Sequence, residues 1–166
     1  MTIDASLVSQ LSMSGVYTLI LFVSKETTVT IGRLGKQRLP MGYYSYAGSA
    51  LGKGSLNLKH RISRHLRKEK RRFWHIDYLL ADENVSVEAV VAAETNENIE
   101  CSLNSYMKRL SGAQVPVYGF GASDCRKNCG SHLLYFPELE KTDVLVQKLV
   151  EHLGSLTGIL SVAVVK

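Results

Sequence analysis

Residues 42–72, GYYSYAGSALGKGSLNLKHRISRHLRKEKRR, run from a tyrosine-rich apolar segment through a glycine-rich turn into a strongly basic stretch. The tyrosines at the start have high strand propensity, and the three glycines within residues 48–54 interrupt any regular element. Ser55 fits the N-cap of a helix that we expect over about residues 56–70. The stretch therefore predicts a strand, a turn and a basic helix in succession.

The predicted helix has an apolar face and a basic face. A repeat of about 3.6 residues places Leu58, Ile62 and Leu66 on one buried stripe. Arg61 and His65 lie one turn apart on the border of that stripe, so we expect both to face the rim of the sheet on which the helix packs. The same repeat points the other basic side chains away from the core: Arg64, Arg67, Lys68 and Arg71.

Charge is unevenly distributed along the chain, whose formal net charge is +5. Eight of the twenty lysines and arginines lie within residues 59–72, whereas residues 81–100 hold six acids and no lysine or arginine. Such segregation is typical of a surface that binds a phosphate backbone, with a solvated helix face as the alternative interpretation.

Length and composition are those of an ordinary globular domain. A chain of 166 residues with 45% hydrophobic and 21% charged residues is long enough to build one core. We expect a single domain over residues 1–166, with a core at about residues 15–112 and an extension at about residues 113–166.

The number of cysteines and the length of the apolar runs indicate where in the cell the protein is expected. Three cysteines provide no even disulfide framework, which favours a reducing compartment. The first twenty residues lack the features of a signal peptide, and the apolar runs are much shorter than the ~20 residues of a membrane span. We therefore expect a cytoplasmic protein without a membrane partner.

Hydrophobic periodicity predicts an α+β fold, a small, mainly antiparallel sheet covered by helices. Strands are expected at residues 15–23, 27–33, 39–47, 85–93, 133–136 and 159–165. Helices besides the basic one are expected at residues 73–80, about 98–110, and 138–153. Residues 1–14 fit a short helix or a loosely attached arm around Leu7, Val8 and Leu11.

Three patterns occur in a fixed order: GVY at residues 15–17, YAGSA at residues 46–50, and then Arg61 with His65 on the basic helix. This ordered set resembles the GIY-YIG nuclease superfamily. The whole chain resembles an uncharacterised GIY-YIG-like branch that is catalogued as a domain of unknown function. The resemblance implies a GIY-YIG-like sheet flanked by helices, here with a C-terminal α/β extension.

The resemblance also implies a metal-dependent DNA endonuclease. Tyr17 of the first motif takes the place of the general base or water-positioning residue. Tyr46 of the second motif and Arg61 take the places of the phosphate-binding residues, and His65 is expected to support them as a proton-transfer or phosphate ligand. Oriented water and positive charge near the phosphate are what phosphodiester hydrolysis requires.

A carboxylate that binds one Mg²⁺ or Mn²⁺ completes the set that the resemblance implies. Glu100 is the candidate because it begins a predicted helix after the strand at residues 85–93, and Glu94 at the end of that strand is the alternative. A glutamate in a first helical turn is equally explained by the helix dipole. A single carboxylate suits Mg²⁺, which keeps several of its waters.

The chain departs from the superfamily pattern in two places. Between the two motifs lie 28 residues, and we expect the excess to form an inserted hairpin at residues 27–38. Ala47 replaces the isoleucine or valine of the second motif.

Further side chains near the motifs are candidates for nucleic-acid binding. Tyr43 and Tyr44 could stack an unpaired base, although alternation along a strand requires that at least one of them face the core. Trp74 is expected in the core, and His75 and Asp77 are expected to have structural roles. The candidate phosphate-binding residues are Arg33, Lys36, Arg38, Lys53, Arg64, Lys68 and Arg71.

Cys125, Cys129 and His132 have the short spacing of zinc ligands, and Cys101 could complete a tetrahedral site. Two alternatives stay open, a redox-labile or paired Cys125 and Cys129, and ordinary packing of small buried side chains. Asp124 and His132 could instead approach the nuclease site.

Three functions follow from these patterns. The first is a Mg²⁺- or Mn²⁺-dependent endonuclease that cleaves DNA in a structure- or damage-directed manner during repair. The second is a catalytically inert module that binds DNA or RNA through the basic helix. The third is a zinc-stabilised interaction domain without a nucleic-acid partner.

Overall fold

The computed structural model describes residues 14–52, 57–122, 125–157 and 161–165. The expected arm around Leu7, the Ser55 cap, Lys53 and Asp124 lie outside these ranges. Within them the chain forms seven strands and four α-helices, in the order β1 (Gly15–Val23), β2 (Thr27–Thr30), β3 (Lys36–Leu39), β4 (Gly42–Ala50), α1 (Leu58–Leu66), α2 (His75–Leu80), β5 (Val85–Glu94), α3 (Glu100–Lys108), β6 (Leu133–Phe136), α4 (Asp143–Thr157) and β7 (Ser161–Val165).

Five strands form one sheet in the order β6-β4-β1-β5-β7, and each of its pairings is antiparallel. The predicted α+β class, with a mainly antiparallel sheet and flanking helices, is therefore confirmed. No helix within the described ranges combines the length and the apolar character that crossing a membrane requires.

The two motif strands are direct neighbours although β2 and β3 intervene in sequence. In the register of β1 and β4, Tyr17 lies opposite Gly48 and Leu19 lies opposite Tyr46. The intervening strands pair with each other as a separate hairpin, which confirms the predicted hairpin between the two motifs. The strand expected at residues 27–33 ends earlier because Gly32 and Gly35 adopt positive φ values of 46° and 71° and turn the chain.

Helices cover both faces of the sheet, because the side chains of the central strand β1 alternate between two cores. Tyr17, Leu19 and Leu21 belong to the core beneath α1 and α2, and Val16 and Ile20 belong to the core beneath α3 and α4. Each fully buried large apolar side chain contributes roughly 1.5–3 kcal/mol to folding. This three-layer packing holds β1 rigidly in the centre of the molecule.

Helix α1 is shorter than the predicted helix at both ends. Asn57 caps its N-terminus by accepting a hydrogen bond from the His60 N–H at 3.1 Å. At the other end, Lys70 Nζ donates to the carbonyls of Arg64 and His65 at 3.0 and 2.8 Å. Repulsion among the five cations of residues 67–72 opposes a continued helix. Lys68 and Arg71 therefore lie beyond the helix, exposed to solvent.

Arg64 does not point into solvent, which corrects its predicted direction. Its guanidinium donates two hydrogen bonds to the buried Asp77 carboxylate, at 2.6 and 2.9 Å. Asp77 also accepts from the backbone N–H groups of Phe73 and Trp74 at 2.9 Å. Although burial raises the pKa of Asp77, the bonds from Arg64 and this backbone lower it overall. Asp77 thus fastens α2 to α1, the structural role expected for it.

Candidate active site

A pocket of about 590 Å³ opens at the end of the sheet where β1 begins and β4 ends. One side, the tyrosine wall, comes from the two motifs, α1 and the residue before α2: Tyr17, Tyr46, Arg61 and Trp74. A second part of the lining, the thiol wall, comes from the start of α3 and the loop before β6: Glu100, Cys101, Cys125, Arg126, Lys127 and His132.

The glycine in each motif is required by close packing around the tyrosine wall. A Cβ atom on Gly48 would collide with the phenol of Tyr17, which occupies the space that this residue leaves empty. A Cβ atom on Gly15 would collide with the backbone carbonyl of Ala93 on β5. The GVY and YAG patterns therefore describe one packing arrangement across paired strands.

Tyr17 is hydrogen-bonded to His65, with 2.7 Å between the phenol oxygen and Nε2. Both side chains are buried, at 1% and 3% exposure. Burial, assisted by the positive charge of Lys70, lowers the pKa of His65 to about 3. Burial and the neighbouring Tyr46 raise the pKa of Tyr17 well above its usual value. The pair is therefore neutral at physiological pH, and one proton lies in the hydrogen bond between the Tyr17 phenol oxygen and His65 Nε2.

Trp74 lies between two arginines. The guanidinium carbons of Arg61 and Arg64 are each 4.4 Å from its ring centroid, a distance typical of cation–π contacts. Arg61 also donates to the backbone carbonyl of Ser49 at 3.3 Å. Trp74 packs on the core as expected, but it is only partly buried and also lines the pocket. These contacts hold the charge of Arg61 at the pocket.

Glu100 reaches the pocket from the first turn of α3. One carboxylate oxygen accepts a hydrogen bond from Ser49 Oγ at 2.7 Å, and the other lies 2.8 Å from Nδ1 of His132. Its side chain is 19% exposed, which leaves room for a further ligand. Glu94, the alternative carboxylate, pairs with Gly15 at the sheet end and is not among the residues that line the described pocket.

Cys101, Cys125, Cys129 and His132 form a cluster whose ligand atoms all lie within 4.8 Å of one another. The Sγ atoms of Cys101 and Cys125 are 3.5 Å apart, and Cys101 Sγ is 3.8 Å from His132 Nε2. Bonds of about 2.0–2.3 Å to a tetrahedral ion require donors roughly 3.3–3.8 Å apart. The cluster can therefore hold a metal ion such as zinc with only small shifts.

The protein lowers the cost of ionising one thiol in this cluster. Burial raises the pKa of the Cys125 thiol, yet hydrogen bonds from the backbone N–H groups of Cys129 and Lys127 lower it overall to about 6. Burial and the adjacent sulfur atoms raise the pKa of Cys129. Cys125 is therefore the thiol of this cluster whose ionisation the surroundings favour, and the thiolate is the form that binds metals.

Some predicted residues lie elsewhere. Tyr44 is fully buried, so its proposed stacking on a base is wrong, whereas the expectation that one of this tyrosine pair faces the core is confirmed. The exposed hairpin residues Arg33, Lys36 and Arg38 are not among the residues that line the described pocket, and Arg38 is paired with Glu26 at 2.8 Å.

Three pocket residues were not anticipated from the sequence. Ser49 was noted only as part of a motif, and it contacts Glu100 through its hydroxyl and Arg61 through its carbonyl. Arg126 and Lys127 add positive charge to the thiol wall. The feature of the sequence that could have identified Arg126 and Lys127 is their position between Cys125 and Cys129. His75 has a structural contact, accepting a hydrogen bond from the Gly121 N–H at 2.9 Å.

Comparison with known proteins gives one match, to a family model. No curated protein and no solved structure matches the chain. The family model for the domain of unknown function DUF123 matches residues 16–155, a range that includes both walls of the pocket. The chain therefore belongs to the DUF123 family.

Proposed function

We propose that this protein is a GIY-YIG-like endonuclease that hydrolyses DNA phosphodiester bonds with the help of Mg²⁺ or Mn²⁺. The observation that supports the proposal is the shared pocket of Tyr17, Tyr46, Arg61 and Glu100, which come from four separate segments of the chain. We extend the proposal to a structure- or damage-directed role in DNA repair by analogy.

Phosphate binding is assigned to the cations of the pocket. Arg61 is held by Trp74 and by the Ser49 carbonyl, and its guanidinium can bind two phosphate oxygens at once. Arg126 and Lys127 add exposed charges on the thiol wall. A DNA strand that enters the pocket therefore meets positive charge from both walls.

Positioning of the attacking water is assigned to Tyr17, with His65 as its support. The phenol oxygen, which is hydrogen-bonded to His65 Nε2 at 2.7 Å, accepts a hydrogen bond from the water. The water oxygen bonds to phosphorus while the bond to the leaving oxygen breaks; the water proton passes to solvent, and the leaving oxygen takes up a proton from solvent. Because burial lowers the pKa of His65 to about 3, its imidazole orients the phenol and does not hold the transferred proton.

The residues present fit a divalent ion. Glu100 offers one partly exposed carboxylate in a pocket with space for bound waters, a ligand set that suits Mg²⁺. When bound, such an ion would stabilise charge on the phosphate and acidify a bound water.

We further propose that zinc occupies the cluster of Cys101, Cys125, Cys129 and His132. Three thiolates and one imidazole are ligands that zinc prefers over Mg²⁺. Purified protein should contain about one zinc per chain by elemental analysis, and Cys129→Ser should lower that content. Protein as purified that contains no zinc, and in which mass spectrometry detects a disulfide between the 3.5 Å pair of Cys101 and Cys125, would contradict zinc binding.

Cleavage assays test the main proposal. Supercoiled, branched and single-stranded DNA are incubated with the protein and Mg²⁺ or Mn²⁺. Tyr17→Phe and Arg61→Ala should each reduce the cleavage rate about 10²–10⁴-fold. Tyr43→Phe is the matched control because Tyr43 is partly buried against the core on the other face of the sheet. Cleavage that survives in both site variants would overturn the assignment.

An inert binding module is the second candidate. Both oxygens of Glu100 already have partners, Ser49 and His132, and such a carboxylate gains less from a metal ion. This alternative predicts salt-sensitive binding to DNA or RNA without cleavage under any divalent ion.

A further inference from the structure

His132 faces two groups that have different chemistry. Its Nε2 belongs to the metal-binding cluster, 3.8 Å from Cys101 Sγ, and its Nδ1 lies 2.8 Å from a Glu100 oxygen. The side chain is only 5% exposed, so the ring has little freedom to turn. A histidine that binds a metal through one nitrogen commonly donates its other N–H to a carboxylate, which fixes both groups.

The contacts continue from Glu100 to the tyrosine wall. Ser49 Oγ donates to the second oxygen of Glu100 at 2.7 Å, and the Ser49 carbonyl accepts from Arg61 at 3.3 Å. One side of the carboxylate is therefore held by strand β4 and the other by the thiol cluster. An ion bound at Nε2 would fix the ring of His132, and with it the contact of Nδ1 with Glu100, more firmly than the packing of the loop alone does.

We propose that the metal in the thiol cluster positions Glu100, through His132, for binding a second divalent ion in the pocket. His132 is then a positioning residue, and the thiol-bound metal is a cofactor of the pocket as well as a support for the loop. This inference rests on the proposed function, because it assigns metal binding to Glu100.

Manganese binding tests the inference without measuring cleavage. The full chain, zinc-loaded or zinc-depleted by a chelator, is titrated with Mn²⁺, and electron paramagnetic resonance measures the free ion. Zinc depletion should weaken Mn²⁺ binding about 10–100-fold, as expected for the loss of an outer-shell contact, and one equivalent of zinc should restore it. Residual thiolates do not compete, because Mn²⁺ prefers oxygen ligands.

Variants separate the possible outcomes. His132→Ala removes both a zinc ligand and the contact with Glu100, so it should weaken Mn²⁺ binding at least as much as zinc depletion does, and His132→Gln should partly restore binding because its amide can donate to Glu100. Ser49→Ala should weaken Mn²⁺ binding without lowering zinc content. Circular dichroism confirms that each variant is folded. Equal Mn²⁺ affinity with and without zinc would overturn the inference, whereas unchanged affinity in Glu100→Gln would overturn the role of Glu100 in the proposed function.

Discussion

The two walls of the pocket are built in different ways. The tyrosine wall consists mainly of side chains on paired strands and one helix, and Tyr17, Tyr46 and Arg61 are fixed by core packing and a cation–π contact. The thiol wall consists of a helix start and an irregular loop, in which Cys101 and Cys125 are 24 residues apart. The hydrophobic core thus determines the first wall, whereas the second depends on polar and sulfur contacts among ligand atoms that can hold a metal ion.

A side chain at Gly48, which would fill the space that the Tyr17 phenol occupies, should have the largest effect on stability. Gly48→Ala should lower the free energy of unfolding by up to about 3 kcal/mol, because the new methyl group collides with the buried phenol. Gly154→Ala on α4 is the matched control, since open space surrounds that position, and it should stabilise the protein by up to about 1 kcal/mol. Urea unfolding measures both. Equal stability of Gly48→Ala and the parent would refute the packing of the tyrosine wall.

Acid should weaken the tyrosine wall through His65. Its pKa is about 3 in the folded protein, against about 6.5 in an unfolded chain, so the unfolded state binds a proton first as pH falls. His65 contributes fully to the stability of the protein above pH ~6.5. The free energy of unfolding should therefore fall by about 2 kcal/mol between pH 7 and pH 5.

Urea unfolding across this pH range should show the loss in the parent and not in His65→Gln. His60→Gln, which changes an exposed residue of the same helix, should behave like the parent. The same pH dependence in His65→Gln and the parent would show that another group is responsible.

Removal of either cation of the thiol wall should have a smaller effect, on the salt dependence of DNA binding. Arg126→Gln and Lys127→Gln remove exposed charges that line the pocket. Each should reduce the slope of log affinity against log salt by up to about 0.9 for duplex DNA. Lys141→Gln, which changes an exposed residue just before α4, should leave the slope unaltered. A slope that stays constant in all three variants would place the DNA outside this pocket.

The difference between the walls also explains what the sequence could predict. The glycines and tyrosines of the two motifs reflect packing between adjacent strands, so a short pattern was sufficient to group Tyr17 with Tyr46. The hairpin between the motifs followed from the spacing of 28 residues that separates them. The direction of Arg64 did not follow, because a helical repeat contains no information about Asp77, a partner 13 residues away.

On the thiol wall, ligand spacing identified Cys125, Cys129 and His132 as one group and allowed Cys101 to join them. Spacing could not reveal that His132 also contacts Glu100, since that contact depends on how the loop packs against α3. For the same reason, Ser49 was recognised as part of a motif without its hydroxyl being assigned a partner.

Trp74 gives this pocket a property of practical use. It is the only tryptophan in the chain, and its indole lies between two guanidinium groups at the pocket. Tryptophan fluorescence of the unlabelled protein therefore originates from a single place. A phosphate that draws Arg61 away from the ring would change the emission, so ligands of the pocket can be screened by intrinsic fluorescence before any substrate is known.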